Sequence, residues 1–160
     1  MAVYFVREAH VGMVKIGVSK DVPQRLKALR TGNPRPLELM GWIIPQKGSD
    51  YSLESQLHLK YDRHRAEGEW FRMSSTEVLD ELRGAHTGGF VSKNAKAFEI
   101  VERDRDGVPI YLGVCKWTDL EIDECCPYCG CMCGLIGQET GAMYHCLNCD
   151  AYTDLSDLPD

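Results

Sequence analysis

The stretch VKIGVSKDVPQRLKALRTGNP, residues 14–34, holds a strand, a helix start and a helix stop in one short run. Val14, Ile16 and Val18 alternate with Lys15 and Gly17, the two-residue period of a β-strand, so the lysine and the glycine share the face opposite the aliphatics. Asp21 is a helix N-cap, Pro23 suits a first turn, and Val22, Leu26 and Leu29 recur at helical spacing. Gly32 before Asn33-Pro34 stops the pattern, which predicts a helix over residues 22–30. A glycine on that strand face opens room for a ligand or another backbone, and Lys15 and Arg25 are placed to meet an anion there.

Outward from this corner, AVYFVRE (residues 2–8) reads as a strand joined to residues 13–18 by a hairpin, and residues 37–44 as a third strand. A second helix is expected from Ser49 or Asp50, with Leu53, Leu57 and Tyr61 on one stripe and Glu54 and His58 stacked one turn apart beside it. Ser74 and Glu77 match a capping box ahead of Val78, Leu79 and Leu82, with Gly84 ending that third helix. The order is strand, strand, helix, strand, helix, helix. Residues 85–97 (AHTGGFVSKNAKA) shift to linker composition. Two units are therefore expected, residues 1–84 and 98–160; the second opens with FEIVE and PIYLGVCKW paired around Asp106-Gly107.

Composition supports a globular protein: of 160 residues, 44% are hydrophobic and 26% charged, which suffices for a core. No apolar run is long enough to span a bilayer and no leader pattern is present, so a cytoplasmic protein without membrane contact is expected. The net charge of −6 speaks against a nucleic-acid partner until it is resolved along the chain. Residues 1–65 carry 11 Lys and Arg against 6 Asp and Glu, whereas residues 84–160 carry 5 against 13. A basic front and an acidic rear follow.

Seven of the eight cysteines lie between residues 125 and 149. Cys126, Cys129, Cys146 and Cys149 form two C-x-x-C pairs separated by enough chain for a hairpin, the arrangement of a four-sulfur structural Zn²⁺ site in a zinc ribbon. Cys125, Cys131, Cys133 and His145 are alternative ligands by position. A disulfide framework is disfavoured in a reducing compartment. Cys115, within an apolar run, reads as a core residue.

The ordered set Val3-Tyr4-Phe5, Val14-Lys15-Ile16-Gly17, an arginine-bearing helix, Thr31-Gly32-Asn33-Pro34, Glu54 with His58, and Gly68-Glu69-Trp70-Phe71 resembles the GIY-YIG nuclease superfamily, in its phage-type DNA-binding branch. The resemblance covers residues 2–73. It implies an α+β fold with a small three-stranded antiparallel sheet and flanking helices, and hydrolysis of phosphodiester bonds in nucleic acid, DNA foremost. Residue by residue it implies catalytic roles for Tyr4, Arg25 and His58, a divalent-metal ligand in Glu54 for Mg²⁺ or Mn²⁺, and places Lys15 where a tyrosine is usual. The lysine then serves either as a base after its charge is suppressed or as a phosphate-binding cation. Tyr4 or His58 is the other candidate base.

Arg30, Arg35, Lys60, Arg63 and Arg65 are candidate phosphate contacts. Trp70-Phe71 reads as closing the core. Two function classes remain beside the endonuclease: a DNA-binding module that kept the pocket without turnover, and a protein-interaction module, or a cover over the basic face, built from the acidic carboxy-terminal half.

Overall fold

The apolar run in Ala2–Glu8 (β1) buries Val3, Tyr4, Phe5 and Val6 almost completely, because both faces of this central strand are covered. The computed structural model describes residues 1–46, 49–85, 87–93, 99–107, 109–111, 115–122, 124–138 and 143–154. Residues 94–97 of the stretch with linker composition, Phe98 of the FEIVE run and residues 112–114 lie outside the described residues.

The chain divides into two compact units, Met1–Gly88 and Gly89–Asp160. In the first, β1 pairs antiparallel with β2 (Met13–Ser19) on one side and β3 (Leu37–Ile43) on the other. The register sets Trp42, Tyr4 and Gly17 in one row across β3, β1 and β2. Helix α1 (Val22–Gly32) follows β2; the Asp21 carboxylate accepts from the Gln24 amide at 2.9 Å, which caps it as the sequence predicts. It lays Val22 and Leu26 against Tyr4, Val6 and Leu37, with Trp42 and Trp70 at the margin. Helices α2 (Asp50–Lys60) and α3 (Ser75–Ala85) pack against β2 and β3 respectively. The α3 capping box closes in both directions: the Ser74 amide donates to the Glu77 carboxylate at 2.8 Å, and the Glu77 amide to the Ser74 hydroxyl at 3.2 Å. Lys60 and Tyr61 both reach the Glu81 carboxylate, tying the end of α2 to α3.

The α+β class is as expected, but the three-stranded sheet is too small a description. After a short 3-10 turn at Asp62–His64, β4 (Arg65–Glu67) and β5 (Trp70–Arg72) form a hairpin that joins β2, and β6 (Gly88–Phe90) joins β3, giving the order β4-β5-β2-β1-β3-β6. These strands span three residues each, too short to show a periodic signal; Gly68, at φ +55°, makes the tight turn between β4 and β5. Strand β6 also falls inside the stretch read as linker. Its glycines fit because Gly88 faces the carbonyls of Leu82 and Trp42 at 3.1 and 3.2 Å from where a Cβ would stand.

The second unit is built of small antiparallel pieces. Strands β7 (Ile100–Arg103) and β8 (Pro109–Tyr111) form the hairpin expected around Gly107, which takes φ +81°. The run continuing to Trp117 contributes a separate strand, β9 (Cys115–Trp117), paired with β10 (Leu120–Ile122) through a turn at Thr118. Strands β11 (Leu135–Gly137), β12 (Met143–Cys146) and β13 (Tyr152–Asp154) make a three-stranded sheet. Phe90 and Trp117 meet edge to face at 6.4 Å between centroids, and both are fully buried.

Gly130 has no tolerance for a side chain: it sits at φ +72°, and an added Cβ would stand 1.9 Å from the Phe90 carbonyl oxygen. Gly130→Ala is expected to destabilise the second unit by about 2 kcal/mol or more, from the left-handed backbone and the collision together. Hydrogen exchange should show the loss in residues 89–154, with residues 1–85 unchanged.

Candidate functional site

Tyr4 and Gly17 are direct cross-strand partners, and the tyrosine ring lies across the glycine. A Cβ on residue 17 would stand 2.5 Å from the Tyr4 hydroxyl oxygen. The opening expected beside this glycine is therefore filled from within: it admits the chain's own phenol. So placed, the Tyr4 hydroxyl accepts from Arg25 Nε at 3.3 Å. That bond, with the nearby Glu69 carboxylate adding to it, holds the Arg25 guanidinium above its already high ordinary value. Arg25 is otherwise exposed on α1.

Lys15 shares the face with Gly17 and is 8% exposed. Its ammonium pairs with the Glu69 carboxylate and lies 5.9 Å from the centre of the Trp70 ring. The hydrogen bond from Lys15 is the main cause that pulls the Glu69 carboxyl below its ordinary range; partial burial opposes it, and the charges of Lys15, His58 and Arg25 reinforce it. Glu69 was not a candidate from the sequence. Its position is set by the pairing of β5 with β2, which no local pattern announces.

The same edge of β2 brings in His58. Strand β5 pairs only with Met13, Val14 and Lys15, so the peptide edge at Ile16 is left to other groups. The Ile16 amide donates to the Glu69 carbonyl at 3.2 Å, and its carbonyl oxygen lies 3.0 Å from His58 Nε2. A carbonyl only accepts, so Nε2 carries the hydrogen and the lone pair of the neutral ring is on Nδ1. The ring also packs at 5.1 Å on Phe71, which is fully buried, as its reading as a core residue requires. Tyr4, Lys15 and Arg25 thus share the Gly17 side of the sheet, with Glu69 as an addition; His58 meets the strand edge at Ile16 and packs on Phe71, the cross-strand partner of Val14. Glu54 lies one turn before His58 on α2, half-buried, with no hydrogen bond or ion pair among the described residues.

The five candidate phosphate contacts fare differently. Arg30 spends two donors on the Leu37 carbonyl, at 3.2 and 3.0 Å. Arg35 pairs with Glu8 at 3.0 Å and Lys60 with Glu81. Arg65 bonds Asp62 at 2.9 Å, reaches the carbonyls of Gly68 and His58, and stacks 4.7 Å over Phe71. Arg63 is exposed and has no partner among the described residues.

In the second unit the Sγ atoms of Cys126, Cys129, Cys146 and Cys149 all lie within 4.8 Å of one another and could hold a metal ion. Cys126–Cys149 and Cys129–Cys146 are 3.6 and 3.7 Å apart. The sulfurs are themselves hydrogen-bonded: Asn148 Nδ2 donates to Cys129 Sγ at 3.4 Å, and backbone amides of the two turns bond Cys126 and Cys146. Among the described residues no other such group occurs, so Cys125, Cys131, Cys133 and His145 stand outside it. None of the eight cysteines is joined in a disulfide, and Cys115 is buried as a core residue. His145 instead bonds Asp150 at 2.7 Å and stacks on Tyr152. Among the described residues no helix is long and apolar enough to cross a membrane.

Residues 1–85 match the T5orf172 domain. That domain is phage-associated, occurs in the setting of GIY-YIG-like and HNH-like endonucleases, and points to a nuclease or DNA-binding module. No curated protein and no solved structure matches the chain. With more than half of its 160 residues in the match, the chain belongs to the T5orf172 domain family.

Proposed function

We propose that the amino-terminal unit is a GIY-YIG-like endonuclease that hydrolyses phosphodiester bonds in DNA with a divalent metal. The observation that carries this reading is the Arg25–Tyr4 contact over Gly17, with Lys15 on the same strand face and His58 held at the strand edge by the Ile16 carbonyl. Two cations and a phenol on one small face match the charge that a pentavalent phosphate develops in its transition state. Arg25 keeps its charge, and only its Nε is bonded to Tyr4, which leaves the terminal nitrogens for the phosphate oxygens. Tyr4, which accepts from Arg25, has its own hydroxyl hydrogen left to donate. His58 is the base: Nε2 is committed to the Ile16 carbonyl, so Nδ1 takes the proton from water. Lys15, ion-paired with Glu69, acts as a phosphate-binding cation and not as the base.

Glu54 fits the metal because its carboxylate is half-exposed, lacks a protein partner among the described residues, and sits one turn from His58. Mg²⁺ and Mn²⁺ are commonly held through one carboxylate with water and phosphate oxygens completing the shell. Bound there, the ion supplies Lewis-acid stabilisation of the leaving oxygen. A second reading, DNA binding without turnover, is favoured by one feature: Glu69 already occupies the Lys15 ammonium, and an incoming phosphate must compete with it.

The four thiolates of the second unit suit Zn²⁺. Bonds of about 2.3 Å in a tetrahedron set sulfurs roughly 3.8 Å apart, close to the spacings found. A closed four-sulfur set leaves no open position, so its role is to hold a small β-rich unit together.

Cleavage of a DNA panel in Mg²⁺ or Mn²⁺ tests the first reading. Arg25→Ala and Glu54→Ala are expected to lower the rate by about 100-fold or more while the fold persists. Salt-sensitive binding by the parent protein without any cleavage establishes the second reading instead.

The Lys15–Glu69 pair has a pH signature of defined sign. A carboxyl whose folded pKa is depressed stabilises the protein above its ordinary value, near 4.5, and that contribution is lost as pH falls through the lower folded value. The stability difference between the parent and Glu69→Gln, from urea unfolding, should be constant between pH 7 and about pH 6 and shrink below the ordinary carboxylate range.

Metal analysis of the purified protein should give about one zinc per chain. Chelation should erase hydrogen-exchange protection in residues 115–154 and leave that of residues 1–85 intact.

A further inference from the structure

A cavity of about 350 Å³ opens on the α1 face of the sheet, and none of the chemistry above uses it. Ala2 of β1 and Leu39 and Trp42 of β3 line it from the sheet; Val22 and Pro23 line it from α1. Lys20, Asp21 and Ile44 complete its wall. Its volume lies at the lower end of small-molecule sites, roughly 300–1,000 Å³, the scale of a single nucleoside.

Its chemistry is selective as well. The Trp42 indole offers a flat apolar surface, and Ile44 is 54% exposed beside it. Lys20 is exposed and has no partner among the described residues. One oxygen of Asp21 caps α1, and the other has no partner among the described residues, so it can accept from a ring amino group. An apolar slot with an aromatic wall, one cation and one acceptor suits a planar, polar-edged ring attached to a phosphate.

Its place in the sheet ties it to the site. Trp42 is the direct partner of Tyr4, and Tyr4 is the direct partner of Gly17. Trp42 and Gly17 are therefore two strand spacings apart on one face, about 10 Å. Along α1, Val22 and Pro23 lie about one turn before Arg25. A nucleotide chain whose phosphate meets Arg25 can reach the cavity with a neighbouring base.

We propose that this cavity receives one unpaired nucleobase, stacked on Trp42 with Lys20 on a flanking phosphate. The substrate strand is then single-stranded or flipped out beside the cut. This inference rests on the phosphodiester reading and narrows its substrate class. A paired base has both faces stacked and its edge bonded, so it cannot enter without leaving the duplex.

The test measures binding of a DNA oligonucleotide, its duplex, and the same strand with abasic positions, without added divalent metal. The parent should prefer the single strand to the duplex and lose affinity at abasic positions. Trp42→Ala should weaken single-strand binding by about 5- to 100-fold and leave duplex binding unchanged. Because Trp42 touches the core, Ile44→Glu at the exposed rim serves as a second variant, with the same selective loss expected. Equal binding of intact and abasic strands, or equal loss on single strand and duplex in both variants, overturns the cavity's role. Arg25-dependent cleavage that persists in that case leaves the phosphodiester reading standing, whereas no binding of any form by the parent overturns both.

Discussion

The first unit is organised around one close approach: the Tyr4 phenol lying across a residue with no Cβ. Any side chain at position 17 would meet the hydroxyl at less than contact distance. With glycine there, the phenol settles against the sheet at full burial and ends where Arg25 can donate to it. The orientation of the guanidinium, which a single helix turn on the surface would leave loose, is thereby referred to the rigid centre of the sheet. Catalytic and binding groups need that kind of support to keep their geometry.

Around this contact the charges are arranged in sequence along one strand edge. Ile16 uses its amide on the Glu69 main-chain carbonyl and its own carbonyl on His58, so one residue anchors both the segment that carries the acid and the imidazole. The acid neutralises the buried ammonium, which would be costly to leave unpaired at 8% exposure. The basic character of the amino-terminal half is accordingly less available than its residue count implies. Arg30, Arg35, Lys60 and Arg65 also have partners within the unit, while Arg25, Lys20 and Arg63 remain directed to solvent.

Much of this was legible in the sequence because it is local. Runs of β-branched and aromatic residues gave β1 and β2, the Asp21 and Ser74 caps marked the starts of α1 and α3, and helical spacing put Glu54 with His58. The cysteine spacing likewise singled out the four sulfurs that converge. What escaped depends on pairing between distant segments. Strands β4 to β6 are three residues long and form because they have a neighbour to bond, not because their own composition demands extension. Glu69 escaped for the same reason, since its partner is 54 residues away and only the register of β5 on β2 brings them together. The role of Gly17 was misread as an opening because its occupant, Tyr4, comes from the adjacent strand.

The backbone contact between Phe90 and Gly130 bears on where the second unit can be separated from the first. The Phe90 amide donates to the Gly130 carbonyl at 2.8 Å, its ring caps Trp117, and Gly89 bridges Cys131. Residues that look like a tether are thus part of the four-cysteine unit's own wall. A recombinant fragment beginning at residue 98 would expose the indole of Trp117 and strand the Gly130 carbonyl, whereas one beginning at Gly89 retains Phe90 as the partner of both.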